Sequence, residues 1–254
     1  MKKERNIKLK VEYKGDEYFG FQMQKDKKTV QGEILKYLKE LLNEEIYIFY
    51  SGRTDRGVHS LGQIVNFKTN SDIELFKIKK FLNTKFNKTN NKYLKVKEIE
   101  EVPEDFNSNL SAVGKRYKYV INTKYESGLF NDFEYTYVKN LDIDLMKEAT
   151  KKFIGKKDFK AFCNSDNETA TTVRCINKFN ISEKDGRLIF EISADGFLNK
   201  MVRIIIGTIL EISEGKKKLN EIDGIFKSKD RKKAGRTLPA KGLYLVEVIY
   251  EKNI

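Results

Sequence analysis

The sequence predicts an α+β protein made of two α/β halves with mainly antiparallel sheets. Two observations carry the expectation. Runs that alternate apolar and polar residues, the period of a half-buried strand, stand between runs whose apolar residues recur at helical spacing. Through Val102 they succeed one another as strand, helix, strand, strand, helix, strand. That is the order of the split β-α-β unit, ferredoxin-like or RRM-like, and the rest of the chain echoes it more loosely. The halves divide into residues 1–108 and 109–254 with no linker composition between them. They are therefore expected to dock side by side and leave a cleft between them, the kind of place where ligands bind.

Ile7-Lys8-Leu9-Lys10-Val11-Glu12-Tyr13 alternates strictly and reads as the first strand, ended by Lys14-Gly15-Asp16. Val30, Ile34, Leu35, Leu38, Leu41 and Leu42 recur at helical spacing behind Thr29, a suitable N-cap. Ile46 to Tyr50, β-branched and aromatic, reads as a strand, as does Gln63-Ile64-Val65-Asn66-Phe67. Ile73 to Leu82 reads as a helix and Tyr93 to Val102 as the strand that closes the first half. In the second half Lys115 to Asn122 alternates as a strand, and Ile143 to Phe153 forms a helix ended at Gly155. Thr172 to Ile181 and Leu188 to Ser193 pair around the turn signal Lys184-Asp185-Gly186. Met201 to Ile212 is an apolar helix stopped near Gly215, and Tyr244 to Tyr250 is the last strand.

The 254 residues include 50 Lys+Arg against 37 Asp+Glu, a formal charge of +13, which favours a polyanionic partner. Most basic clusters, such as Lys77 to Lys80 and Lys227 to Lys233, read as solvated faces. The cluster at 115–119 differs. On a strand, Lys115, Tyr117 and Tyr119 share one face while Arg116 and Lys118 take the other. Cations beside a ring suit phosphates and an unstacked base, although a strand tyrosine serves equally in a core. No apolar signal region follows Met1-Lys2-Lys3-Glu4-Arg5-Asn6, and no apolar run approaches the ~20 residues of a membrane span. One histidine and two cysteines without ligand spacing argue against a metal site. The expectation is a cytoplasmic, metal-free protein.

The chemistry is densest in Ser51-Gly52-Arg53-Thr54-Asp55-Arg56-Gly57-Val58-His59-Ser60, directly after a strand. Gly52 and Gly57 allow a sharp turn and a close approach to a ligand. If strand geometry continues that far, Arg53 and Asp55 share a face. A carboxylate beside an arginine stays ionised, which suits a nucleophile or base, and the same residues would also make a surface ion pair. His59 is expected to fix the loop by hydrogen bonding rather than to act as a base.

Gly52-Arg53-Thr54-Asp55-x-Gly57-Val58-His59, followed by Gly62-Gln63, closely resembles the signature of the TruA family of tRNA pseudouridine synthases. Other blocks resemble that family in the same order. They are Glu12-Tyr13-x-Gly15 with Tyr18-Phe19-Gly20-Phe21-Gln22, Ser111-Ala112 with Arg116-Tyr117-x-Tyr119, Gly196-Phe197-Leu198-x-x-Met201-Val202-Arg203, and Pro239-Ala240-x-Gly242-Leu243-Tyr244-Leu245. The resemblance implies an isomerase that converts uridine to pseudouridine at positions 38 to 40 of the tRNA anticodon stem-loop. It further implies a homodimer, each chain with two α/β halves docked around a central basic cleft, that uses neither cofactor nor metal. It carries the family's catalytic aspartate onto Asp55, its active-site tyrosine onto Tyr117 and its helix arginine onto Arg203. Three positions depart from the family pattern: Phe21 stands for a common Trp, Asn109 for an Arg, and Arg56 for a small residue.

The residues agree with that chemistry. A carboxylate nucleophile divides one hard bond exchange into easier steps. Attack at ribose C1′ and a glycal route through the 2′ proton both remain open for Asp55. Burial alone would raise its pKa, so a cation must offset it, and Arg203, set in an apolar helix, is the candidate. Tyr117 would stack on a flipped uracil, and Arg53 would contact RNA. The other readings are a paralogue acting on another RNA, a non-catalytic RNA-binding or folding module, and a carboxylate enzyme on a small anionic substrate.

Overall fold

A computed structural model of the chain describes residues 3–89, 91–124, 133–164 and 169–251. It is a mixed α+β structure. In chain order the elements are β1 (Arg5–Tyr13), α1 (Val30–Leu42), β2 (Ile48–Tyr50), β3 (His59–Thr69), α2 (Leu75–Lys88) and β4 (Leu94–Val102). There follow β5 (Ala112–Asn122), β6 (Tyr135–Thr136), α3 (Ile143–Lys151), β7 (Gly155–Asp158), β8 (Val173–Lys184) and β9 (Arg187–Ala194). The chain ends with α4 (Met201–Ser213), α5 (Glu221–Ser228) and β10 (Leu243–Tyr250). Two compact units result, one of Met1–Val113 with Tyr244–Ile254 and one of Gly114–Leu243.

In the first unit the strands lie in the order β4-β1-β3-β10, with β2 on β3. All pairings are antiparallel except β10 on β3, where Tyr244 lies opposite His59 and Leu245 opposite Ser60. The sequence reading ran the second half on to residue 254; the last strand instead joins the first unit through this parallel pairing, a long-range contact with no local signature. Strict alternation in β1 buries Ile7, Leu9 and Val11 and turns Lys8 and Lys10 outward to Glu100 and Glu98, their cross-strand partners. Ile34 and Leu38 of α1 and Ile78, Leu82 and Phe86 of α2 join the same core.

Several boundaries moved. The strand expected from Ile46 begins at Ile48, because Tyr47 is exposed and outside the ladder. The strand expected at 63–67 runs from His59 to Thr69. Buried polar residues, Ser60, Gln63, Asn66 and Thr69, occupy it and break its apolar signal. Asn66 earns burial by donating to Asn6 Oδ1 and to Phe106 O and by accepting from Ser108 N–H.

The second unit carries the order β5-β9-β8-β7, antiparallel throughout, with β6 parallel to β5. Helix α4 is apolar almost all round and buries ten of its residues, Met201 and Leu210 among them. Beyond its C-terminal end Glu214 accepts hydrogen bonds from Arg236 Nη2 at 2.8 Å and from Tyr137 OH, while Lys216 Nζ lies 2.5 Å away. Burial would raise that carboxyl, but these three donors hold it down to about 2. β7 and α5 had no place in the sequence reading. β7 has four residues, and α5 buries only Ile222 and Ile225, so neither offers a full period. Among the described residues no helix is long and apolar enough to cross a membrane.

Thr29 caps α1 as its sequence suggests, its Oγ1 accepting from Gly32 N–H at 3.2 Å. Thr29→Ala is expected to lower the unfolding free energy by about 1 kcal/mol in urea titration, and Thr29→Ser to retain most of it.

Candidate active site

Asp55 sits half-buried on the loop joining β2 to β3. Strand geometry ends at Tyr50, so strand alternation does not set the relation of Arg53 to Asp55. Arg53 is exposed, and its Nη1 donates to Gln22 Oε1 at 3.3 Å. Gly57 adopts a left-handed φ of +83°, whereas Gly52 does not, so the sharp turn lies after Asp55.

The loop is held from below by the chain that follows β1. Gly15 N–H donates to His59 Nδ1 at 3.1 Å, and Gly15 O accepts from Gly57 N–H at 3.1 Å. Phe21 N–H donates to Thr54 O, and Val58 N–H to Asp55 O, both at 3.1 Å. A methyl group at Gly15 would fall 2.0 Å from Val58 O, so only glycine allows the two backbones to touch there. Beneath the loop, Thr54 Oγ1 lies 2.7 Å from Tyr13 OH, Gln63 Nε2 donates to Gly52 O at 2.8 Å, and Ser51 Oγ donates to Gln63 Oε1. Burial pushes the Tyr13 hydroxyl up to about 12, against the lowering effect of Thr54, Gln63 and Ser60, so it stays neutral within this network.

His59 is buried, its Nδ1 accepts from the backbone, and its ring stacks on Tyr244 at 4.8 Å between centroids. An accepting Nδ1 places the proton of a neutral imidazole on Nε2. The histidine fixes the loop, as its place among glycines suggested.

Tyr117 and Arg203 belong to the second unit. Tyr117 lies on β5 opposite Ile192 of β9, is 9% exposed, and meets Phe197 edge-on at 5.0 Å. Lys115, on the same face of β5, is pushed down to about 8 by burial, with the nearby positive charge of Arg174 adding to the effect. Arg203 projects from α4 and is half-buried. Its Nε donates to Leu238 O at 2.7 Å, and Leu238 N–H donates back to Arg203 O at 3.3 Å. Tyr119 OH donates to Pro239 O at 2.7 Å, so Arg203 and Tyr119 grip one short segment. The sequence alone points neither to the clamp on Leu238 and Pro239 nor to the contacts of Tyr13 and Gln63 with Thr54, Gly52 and Ser51 of the Asp55 loop. The sequence signal available for them was their membership in the quoted blocks. A cavity of about 380 Å³ in this unit, between Lys139, Asp185 and Arg187, is lined by none of the candidate residues.

A family model described as tRNA pseudouridine synthase matches residues 10–109 and 149–251. The chain is 45% identical over 247 residues to tRNA pseudouridine synthase A of Caldicellulosiruptor bescii, covering 97% of this chain and 100% of that one. It is 43% identical, with the same coverage, to tRNA pseudouridine synthase A of Acetivibrio thermocellus. It is 41% identical, again at 97% and 100%, to tRNA pseudouridine synthase A 2 of Clostridium perfringens.

Gly15→Ala is expected to cost about 3 kcal/mol of stability in urea titration, since Val58 O is rigid backbone and cannot step aside cheaply. A loss under about 1 kcal/mol would show that the contact relaxes. Lys115 is expected to titrate near pH 8 when followed by amine acylation or NMR, and Arg174→Ala to move that midpoint upward. The unfolded chain keeps this proton up to the ordinary value of 10.5, so stability rises with pH between about 8 and 10.5; below that window the cost of burying the charge is fully present and does not change with pH.

Proposed function

The chain belongs to the tRNA pseudouridine synthase family, and from that membership we propose that it converts uridine to pseudouridine at positions 38 to 40 of the tRNA anticodon stem-loop with Asp55 as its nucleophile. The enzyme is an isomerase acting on tRNA. The reaction breaks the bond from uracil N1 to ribose C1′, turns the base, and joins C5 to C1′. C5 loses a proton and N1 gains one, so no atom is added or removed.

The observation that carries the reading is Asp55 itself: a half-buried carboxylate inside the matched region, on a loop whose backbone is fixed by Gly15, Phe21 and His59. A loop so restrained holds a nucleophile in place before substrate arrives, which removes part of the entropic cost of reaction. Attack at C1′ and removal of the 2′ proton both use the ionised carboxylate. Tyr117 stacks on the uracil after it leaves the helix, and Arg203 and Arg53 bind the substrate through their charge. The element order of the first unit supports a ferredoxin-like half carrying the Asp55 loop, and residues 109 onward carry Tyr117 and Arg203. The reading includes a homodimer working in the cytoplasm, and light scattering of the purified protein tests the dimer.

Asp55→Ala and Asp55→Asn are each expected to abolish pseudouridine formation in transcribed tRNA while tRNA affinity stays within a few-fold. Product from either variant would remove Asp55 from the chemistry. Mapping pseudouridine in tRNA from cells with and without the protein tests the target. Unchanged signals at all three positions would refute it.

A further inference from the structure

The residue that follows Asp55 in the chain is an exposed arginine stacked on an aromatic ring. Arg56 holds its guanidinium carbon 4.3 Å from the centroid of Phe19, and Lys27 Nζ lies 4.9 Å from the same centroid. Phe19 remains 37% exposed. Its backbone is tied on both sides: its N–H donates to Lys28 O at 2.8 Å, and its carbonyl accepts from Gln24 Nε2 at 2.8 Å. The next two residues lock it to the loop. Phe21 N–H donates to Thr54 O, and a methyl group at Gly20 would fall 2.9 Å from Thr54 O. Ring, guanidinium and Asp55 loop are thus set in register by the backbone before RNA arrives.

A guanidinium resting on a ring loses rotational freedom, and its planar N–H fork matches two oxygens of a phosphate where a lysine would offer only a point charge. The phosphates on either side of a nucleotide are covalently tied to the ribose on which Asp55 acts. The net positive charge of the chain gives such a contact a polyanion to meet. None of the roles assigned above uses Arg56 or Phe19.

We propose that Arg56 grips a phosphate of the RNA strand next to the target uridine, and that Phe19 is a positioning residue that holds the guanidinium in place for it. The proposal rests on the assignment of tRNA as substrate and of Asp55 as the reacting group.

The test compares wild type with Arg56→Ala, Arg56→Lys, Phe19→Leu and Phe19→Tyr, all exposed positions. Pseudouridine formation in transcribed tRNA gives kcat and KM, and filter binding at several salt concentrations gives affinity. Arg56→Ala is expected to raise KM and Kd about tenfold, with kcat within about twofold. It should also flatten the slope of log affinity against log salt by about one. Arg56→Lys should restore the slope but only part of the affinity. Phe19→Leu should keep the slope and weaken affinity a few-fold, and Phe19→Tyr should restore it. An unchanged salt slope with KM within about twofold for Arg56→Ala overturns the proposal, as does a fall in kcat at unchanged KM. Should the wild type form no pseudouridine, the functional reading fails instead, and the salt slopes for tRNA binding still decide the role of Arg56.

Discussion

Contact between two stretches of main chain fixes the loop that carries Asp55. Gly15 touches the loop of Asp55 with both its polar groups, giving its N–H to His59 and receiving that of Gly57. Its own Cα lies against Val58 O with no room for a side chain. Each such bond contributes only about 1 kcal/mol net, but leaving a buried donor unpaired costs about 1–3 kcal/mol. The loop therefore has few alternative positions that satisfy its backbone. Its rigidity comes from the expense of the alternatives more than from the strength of any single bond.

The second unit uses a different device. Helix α4 is apolar on nearly every side, which would leave an arginine within it expensive. Arg203 meets that cost partly through the Leu238 carbonyl, and Leu238 returns a hydrogen bond to the helix. At the other end Glu214 meets Arg236, Tyr137 and Lys216, which hold it far below the usual carboxylate range in spite of burial. Its contribution to stability is present above the ordinary carboxylate range and is lost only as pH falls toward about 2. The segment from Arg236 to Pro239 is thereby pinned along the helix that carries Arg203.

Positive charge is spread widely over this chain, but its chemical value differs from place to place. Lys8 and Lys10 are matched by glutamates directly across the sheet and serve the fold. Lys115 is half-buried near another cation, and its proton is loosened as a result. Arg56 lies over a ring beside the proposed nucleophile.

The strands and helices with a clean period were legible in the sequence. β1 alternates without a break, α1 shows both its stripe and its cap, and α4 is apolar throughout. The placement of Asp55 on a loop after a strand was legible too, because residue type and local punctuation are local properties. β3 was read short because several of its buried positions, Asn66 among them, are polar and paired with distant groups. The partner of β10, the burial of His59 against Tyr244, the grip of Leu238 on Arg203 and the ring beneath Arg56 were decided only by tertiary structure. Each of these joins residues far apart in the chain through hydrogen bonds or ring contacts. Periodicity records only whether a side chain faces inward, and it carries no information about which distant atom it meets.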